Sequence, residues 1–436
     1  MTLRDASALF LAFGLSAVAA DARPQEPVAA RGGRYTIVVE GFDWGAGVSK
    51  VILATDKPVS SASARDFTVA VKRRTDCGEL PPGQAEGDRV VLDAYVSDAK
   101  GVRRDGGESV TLVLAVAPGW PVGSPLAYFR GDKCRGNVWV DYLVTATDKT
   151  SGRVWDTPSG RISPIADRFD LSGRFEYGPG KALTYASFTP RTSRPKSPLL
   201  IWLHGGGEGG SDPTIPLLAN LATAYASDAI QSIFEGAYVL VPQTPGAWMH
   251  NAAGVMTSGK EDDVYNVPLM ALIRDFVAAH PGVDTNRIYV GGCSNGGYMS
   301  LKLMLLHPDY FAAGFISSLA YQSQYLTDGQ IKSVARLPIW FVHSADDQTT
   351  KPEETVLPVY ERLKAAGASN VHLSYYDHVA DVTGLFGGDG YRYNGHWSWI
   401  YLHANQCRLD RDLSLVKVGG RPVTIMEWLA AQTRAR

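Results

Sequence analysis

Gly291-Gly292-Cys293-Ser294-Asn295-Gly296-Gly297 stands between the apolar run Ile288-Tyr289-Val290 and the stretch Tyr298–Leu306 (YMSLKLMLL). The first flank predicts a buried strand and the second an amphipathic helix. A serine in a G-x-S-x-G at a strand-to-helix corner is the setting of a nucleophile elbow. There the serine backbone is strained and its neighbours need almost no side chain. The helix start also aims free N–H groups at the serine, which favours negative charge developing there. The competing reading is a glycine-rich structural turn.

Other segments decide between the two. His204-Gly205-Gly206-Gly207-Glu208-Gly209-Gly210 follows the compact apolar run LLIWL (199–203). Glycines let main-chain N–H groups approach an oxyanion, and such a loop is the usual partner of the N–H after the nucleophile, here Asn295. No Lys-Ser/Thr follows, so a phosphate-cradling loop fits less well. His204 ends a buried strand and reads as structural. In an elbow enzyme the order along the chain is serine, acid, histidine. After the strand LPIWFVH (337–343) come Asp346 and Asp347, of which Asp347 is the favoured acid and Asp346 the alternative. After the strand VHLSYY (371–376), His396 in YNGHWSWIY is the favoured base, with His378 the alternative. Trp397 beside it is a candidate pocket wall.

The whole chain sets the frame. Its 436 residues suggest two domains. Lys plus Arg total 42 and Asp plus Glu 44, a balance that gives no case for nucleic acid or an anionic membrane. MTLRDAS followed by the apolar ALFLAFGLSAVAA reads as a signal peptide over 1–20, then a linker over 21–33, so a secreted or periplasmic protein is expected. From 34 to 165 short strands (YTIVVEGF, VSKVILAT, DFTVAVKRR, DRVVLDAYV, SVTLVLAV, VWVDYLVTATD) alternate with turn residues and predict an all-β, antiparallel Ig-like sandwich. No histidine precedes residue 204, so an imidazole-based site cannot come from that half alone. From 170 to 436 apolar strands alternate with helices and predict an α/β domain with a mostly parallel sheet covered on both faces. Cys77 and Cys134 share the first half and are the favoured disulfide, leaving Cys293 and Cys407 as a second pair. No H-E-x-x-H or cysteine pair at metal spacing occurs, and no metal or cofactor is expected.

Taken in order, LHGGGEGGSD, GGCSNGGYMS, FVHSADDQTT and GHWSWIY resemble the α/β-hydrolase superfamily. More narrowly they are similar to secreted bacterial esterases and prolyl-oligopeptidase-like hydrolases with an N-terminal Ig-like domain, related to poly(hydroxybutyrate) depolymerases and feruloyl esterases. The resemblance covers roughly 175 to 436. It implies Ser294 as nucleophile, Asp347 as acid and His396 as base, with Gly206, Gly207 and Asn295 donating to the oxyanion. It also implies that the loop after Val241-Pro242-Gln243 reaches the pocket, making Trp248 a candidate substrate wall. A Cys293–Cys407 bridge would rest on analogy with a serine–histidine brace in some feruloyl esterases.

The expected activity is a serine carboxylesterase acting on a small or polymer-attached ester through an acyl-enzyme. A prolyl-oligopeptidase-like peptidase is the nearest alternative, though no propeller-length repeat occurs. A non-catalytic surface-binding protein on the same fold is the other. The Ig-like domain is a candidate oligomerisation surface.

Overall fold

The computed structural model describes residues 32–192 and 194–434. The expected signal peptide, and all but the end of the linker, lie outside the described residues.

The N-terminal domain is all-β. Eight strands form one wrapped sheet in the order Glu86–Arg89, Phe67–Arg74, Asp141–Asp148, Val154–Ile162, Gly33–Phe42, Gly45–Val59, Gly107–Leu114, Val91–Ser97. Alternate residues such as Val69 and Val71, Leu112 and Leu114, and Val144 and Ala146 point inward and are buried. Every pairing in it is antiparallel except one: Gly33–Phe42 runs parallel to Val154–Ile162. The sequence run DRVVLDAYV is split between the two opposite edges of this sheet. Leu126–Arg130 and Arg135–Trp139 form a separate hairpin. The Cys77–Cys134 disulfide ties its turn to the segment after Phe67–Arg74.

The second domain is built on strands β1 (Asp170–Gly178), β2 (Lys181–Phe188), β3 (Ser197–Leu203), β4 (Tyr238–Gln243), β5 (Val283–Cys293), β6 (Ala313–Ser317), β7 (Ile339–Ser344) and β8 (Val371–Tyr376). Their order in the sheet is β1-β2-β4-β3-β5-β6-β7-β8. β1 and β2 are antiparallel, and β3 to β8 run parallel. Both faces of the parallel part are covered, which is why its strands are apolar throughout. In β3, Leu200 and Trp202 face one core while Leu199, Ile201 and Leu203 face the other, all without exposed area. Leu269, Ile273, Leu301, Met304, Val359 and Leu363 cover one face. They come from α3, α4 and α6 of the helices α1 (Thr214–Ala219), α2 (Asp228–Phe234), α3 (Asn266–Ala279), α4 (Asn295–Leu306), α5 (Asp328–Val334) and α6 (Val356–Ala365). The opposite core includes Phe234, Ile400 and Trp428 and runs on without a break to Val39, Leu53 and Val144 of the N-terminal domain. The two domains therefore share one apolar core.

Cys293 and Cys407 are both buried and unbonded, so the second disulfide does not form. Burial pushes both thiols up, that of Cys407 to about 12.

Candidate active site

Ser294 sits where β5 ends and α4 begins, with φ 55 and ψ −114. This is a strained backbone for a side-chain-bearing residue, held by its surroundings. The flanking glycines have no room for a side chain. A Cβ on Gly292 would lie 2.6 Å from the Leu203 carbonyl oxygen, and one on Gly296 would lie 1.9 Å from it. The Ser294 N–H donates to the Ser317 carbonyl (3.0 Å), which fixes the turn to the end of β6.

The opposite wall starts at the ends of β6 and β7. The Ser318 hydroxyl donates to the His396 carbonyl (2.8 Å), and the His396 N–H donates to the Asn394 side chain (2.9 Å). Ser398, behind the same turn, donates to the Val342 carbonyl (3.2 Å). His396 is thus held through its backbone on both sides, and its ring meets Trp399 edge-on at 5.5 Å. His396 Nδ1 donates to Asp347 Oδ2 at 2.9 Å. That bond places the neutral ring's proton on Nδ1 and leaves Nε2 with a lone pair.

Asp347 is fully buried. Its Oδ1 accepts the Thr349 N–H (2.8 Å) and the Thr350 N–H (2.9 Å). Its Oδ2 accepts the Thr350 hydroxyl (2.8 Å) and lies 3.2 Å from His343 Nε2. Burial pushes this carboxyl up, but hydrogen bonds from His343 and His396 and their charge outweigh it, holding the group below the ordinary range. Asp346 instead accepts from the Ser344 hydroxyl, and His378 contributes its carbonyl to the Tyr401 hydroxyl (3.0 Å). Neither meets His396.

The glycine loop after β3 lies over the start of α4. A Cβ on Gly206 would be 3.9 Å from Asn295 Nδ2. The N–H of Asn295 belongs to the unpaired first turn of α4. Asn295 Oδ1 accepts the Met249 N–H (3.2 Å) and so braces the loop after β4. His204 is buried: its Nδ1 donates to the Gly205 carbonyl (2.6 Å) and its Nε2 accepts the Thr244 N–H (3.2 Å). Burial lowers its pKa to about 4, so it stays neutral. Trp248 has no exposed area and packs against His204 at 5.0 Å, so it backs the loop and does not face a ligand. Trp397 is half-buried and lines a cleft of about 350 Å³ with Trp44, Trp120, Tyr391 and Asn394.

Four contributors escape a sequence reading: His343, Thr350, Glu208 and Asn137. Glu208 left one signal, an acid inside a run of glycines. Burial raises its carboxyl to about 7. Asn137 comes from the other domain and left none.

Residues 34–162 match the esterase Ig-like N-terminal domain, and residues 186–383 match the phospholipase/carboxylesterase family. A structure described as a thermostable esterase has TM-score 0.71 and 21% identity, over 92% of this chain and 99% of its own. Looser likenesses include Est1E from Butyrivibrio proteoclasticus (16% identity, TM-score 0.33, 48% of this chain and 92% of its own). Another is a Pyrococcus horikoshii acylaminoacyl peptidase (16%, TM-score 0.38, 64% and 47%). Neither bears on function. Among curated proteins, no sequence matches. The chain thus joins a domain that matches the esterase Ig-like family over 34–162 to one that matches the phospholipase/carboxylesterase family over 186–383, on an α/β-hydrolase fold.

Proposed function

We propose that the protein is a secreted serine carboxylesterase working through Ser294, His396 and Asp347. The observation that carries the reading is the Asp347–His396 hydrogen bond of 2.9 Å in a chain that also holds Ser294 at a strained strand-to-helix corner. His396 Nε2 takes the Ser294 proton as Oγ bonds to the ester carbonyl carbon. The N–H groups of Asn295 and of Gly206 or Gly207 meet the oxyanion. His396 then returns the proton to the departing alcohol. A water, deprotonated by the same ring, attacks the acyl-serine and releases the acid. The depressed Asp347 carboxyl stays ionised at neutral pH and stabilises the imidazolium formed in each half-reaction.

The cleft of Trp44, Trp120, Tyr391 and Trp397 is lined by none of Ser294, Asn295, His396 or the glycine loop; Trp397, next to His396, is the residue through which it would hold a ring-shaped part of the ester. Export is supported by the Cys77–Cys134 disulfide, a bond that persists in oxidising compartments, and by the apolar N-terminal run. Among the described residues no helix is long and apolar enough to cross a membrane.

A panel of nitrophenyl esters, acetylated sugars and proline-containing peptides tests the reading. Turnover of esters without peptide cleavage is expected. Peptide cleavage at comparable kcat/KM would move the protein to the peptidases.

A further inference from the structure

The hairpin Leu126–Arg130/Arg135–Trp139 of the Ig-like domain lies against the glycine loop of the other domain. The Asn137 N–H donates to the Gly207 carbonyl at 2.7 Å, and Asn137 Nδ2 donates to the same oxygen at 3.1 Å. Nδ2 also reaches Glu208 Oε1 at 3.2 Å. The fit is close from both sides. A Cβ on Gly136 would lie 2.5 Å from the Gly207 oxygen, and one on Gly207 would lie 2.7 Å from the Tyr128 ring. Glu208 is buried, and its Oε2 accepts from Asn220 Nδ2 at 3.4 Å. Asn220 Oδ1 in turn accepts from the Cys293 thiol at 3.5 Å. A chain of polar contacts therefore runs from Asn137 through Glu208 and Asn220 to Cys293, the neighbour of Ser294.

We infer that Asn137 is a positioning residue for the oxyanion loop, so that the Ig-like domain completes the active site through Glu208. The inference rests on the Ser294 reading above. Its physical reason is the loop's composition. Gly205, Gly206 and Gly207 lose more freedom on ordering than any other residues, so the loop needs external partners to aim its N–H groups. The Gly207 carbonyl is held by nothing in its own domain among the described hydrogen bonds; both of its donors are Asn137 atoms. The Cys77–Cys134 disulfide fixes the turn of the same hairpin three residues before Asn137. Burial, opposed by contacts with Asn220 and Asn137 and by the charge of His396, holds the Glu208 carboxyl near 7, consistent with a shared hydrogen-bond network.

The test uses the full chain with a short-chain nitrophenyl ester. Asn137→Ala keeps the backbone donor and loses Nδ2. It lowers kcat by roughly 10- to 100-fold with KM within about threefold, since small misplacement of a reacting geometry costs on that order. Asn137→Asp sets two acceptors against each other and loses more. Asn137→Asp combined with Glu208→Gln restores a donor facing an acceptor and returns kcat to within about tenfold of wild type. An Asn137→Ala kcat within twofold of wild type overturns the inference. So does a double variant no faster than Asn137→Asp alone. Ser294→Ala, run alongside, separates the two failures: if it is inactive the elbow reading stands without Asn137, and if it is active both fall.

Discussion

Replacing Asp347 by Asn tests the geometry of the acid more sharply than deleting it. The two carboxylate oxygens have different duties. Oδ1 accepts two backbone N–H groups, from Thr349 and Thr350. Oδ2 faces the Thr350 hydroxyl, His396 Nδ1 and His343 Nε2. An asparagine must keep its carbonyl at the Oδ1 position, because backbone N–H groups only donate. Its NH2 then falls where Oδ2 was and meets His396 Nδ1 as a donor. The ring has to answer as an acceptor, which moves its proton to Nε2. A protonated Nε2 cannot take the Ser294 proton. The expected loss in kcat is on the order of 10⁴, about 5.5 kcal/mol of transition-state stabilisation. KM stays within about threefold, because substrate does not touch this side chain. Asp346→Asn, whose carboxylate meets Ser344 and not His396, keeps kcat within about threefold. The stability side has a definite sign. A carboxyl depressed in the folded state stabilises it above the ordinary value of 3.8, and that stability is lost as pH falls below it. The gap between wild type and Asp347→Asn in urea unfolding therefore narrows from pH 7 to pH 3. Steady-state hydrolysis of nitrophenyl acetate decides the matter. If Asp347→Asn keeps more than a tenth of wild-type kcat, or Asp346→Asn is the slower variant, the tautomer argument is refuted.

Glu208→Gln removes a pH dependence of opposite sign. The folded carboxyl is held near 7 against an ordinary 4.5, so the folded state binds the proton more tightly, and wild-type stability falls as pH rises from about 4.5 to 7. Over that window wild type loses about 3 kcal/mol relative to the Gln variant, at about 1.36 kcal/mol per unit; parallel unfolding curves at pH 5 and 8 would contradict this. Gly292→Ala puts a methyl group 2.6 Å from the Leu203 carbonyl and is expected to leave little folded protein, measured as soluble yield and by circular dichroism. Thiol titration should find two reactive groups per chain only after denaturation, since Cys293 and Cys407 are buried and free. Cys77→Ser with Cys134→Ser opens a loop with a separation of 57 residues and lowers the stability of the N-terminal domain by about 2–4 kcal/mol in urea unfolding.

What was legible in the sequence was local. The elbow, the glycine loop, and the Asp347 and His396 loops each follow an apolar strand, so a single window shows both the residue and its setting. The β3-to-β8 parallel sheet was readable for the same reason. Other features depend on contacts distant in sequence. Val154–Ile162 is absent from the strands expected of the first domain because its partner, Gly33–Phe42, lies more than a hundred residues earlier. Trp248, a pocket wall by the resemblance alone, is buried because His204, distant in sequence, packs against its ring. The Cys293–Cys407 bridge failed because proximity of a cysteine to a serine in sequence does not bring a second cysteine to it. Asn137 carries no local signal: its role comes entirely from a hairpin placed 70 residues upstream of the loop it touches.

The central claim is that Ser294 is a nucleophile. Incubation with a fluorophosphonate probe, followed by intact mass and peptide mapping, tests it directly. One adduct per chain on Ser294 is expected, with none on Ser294→Ala and strongly slowed labelling of His396→Ala. Wild type that stays unlabelled, or Ser294→Ala that labels as fast as wild type, would contradict the account.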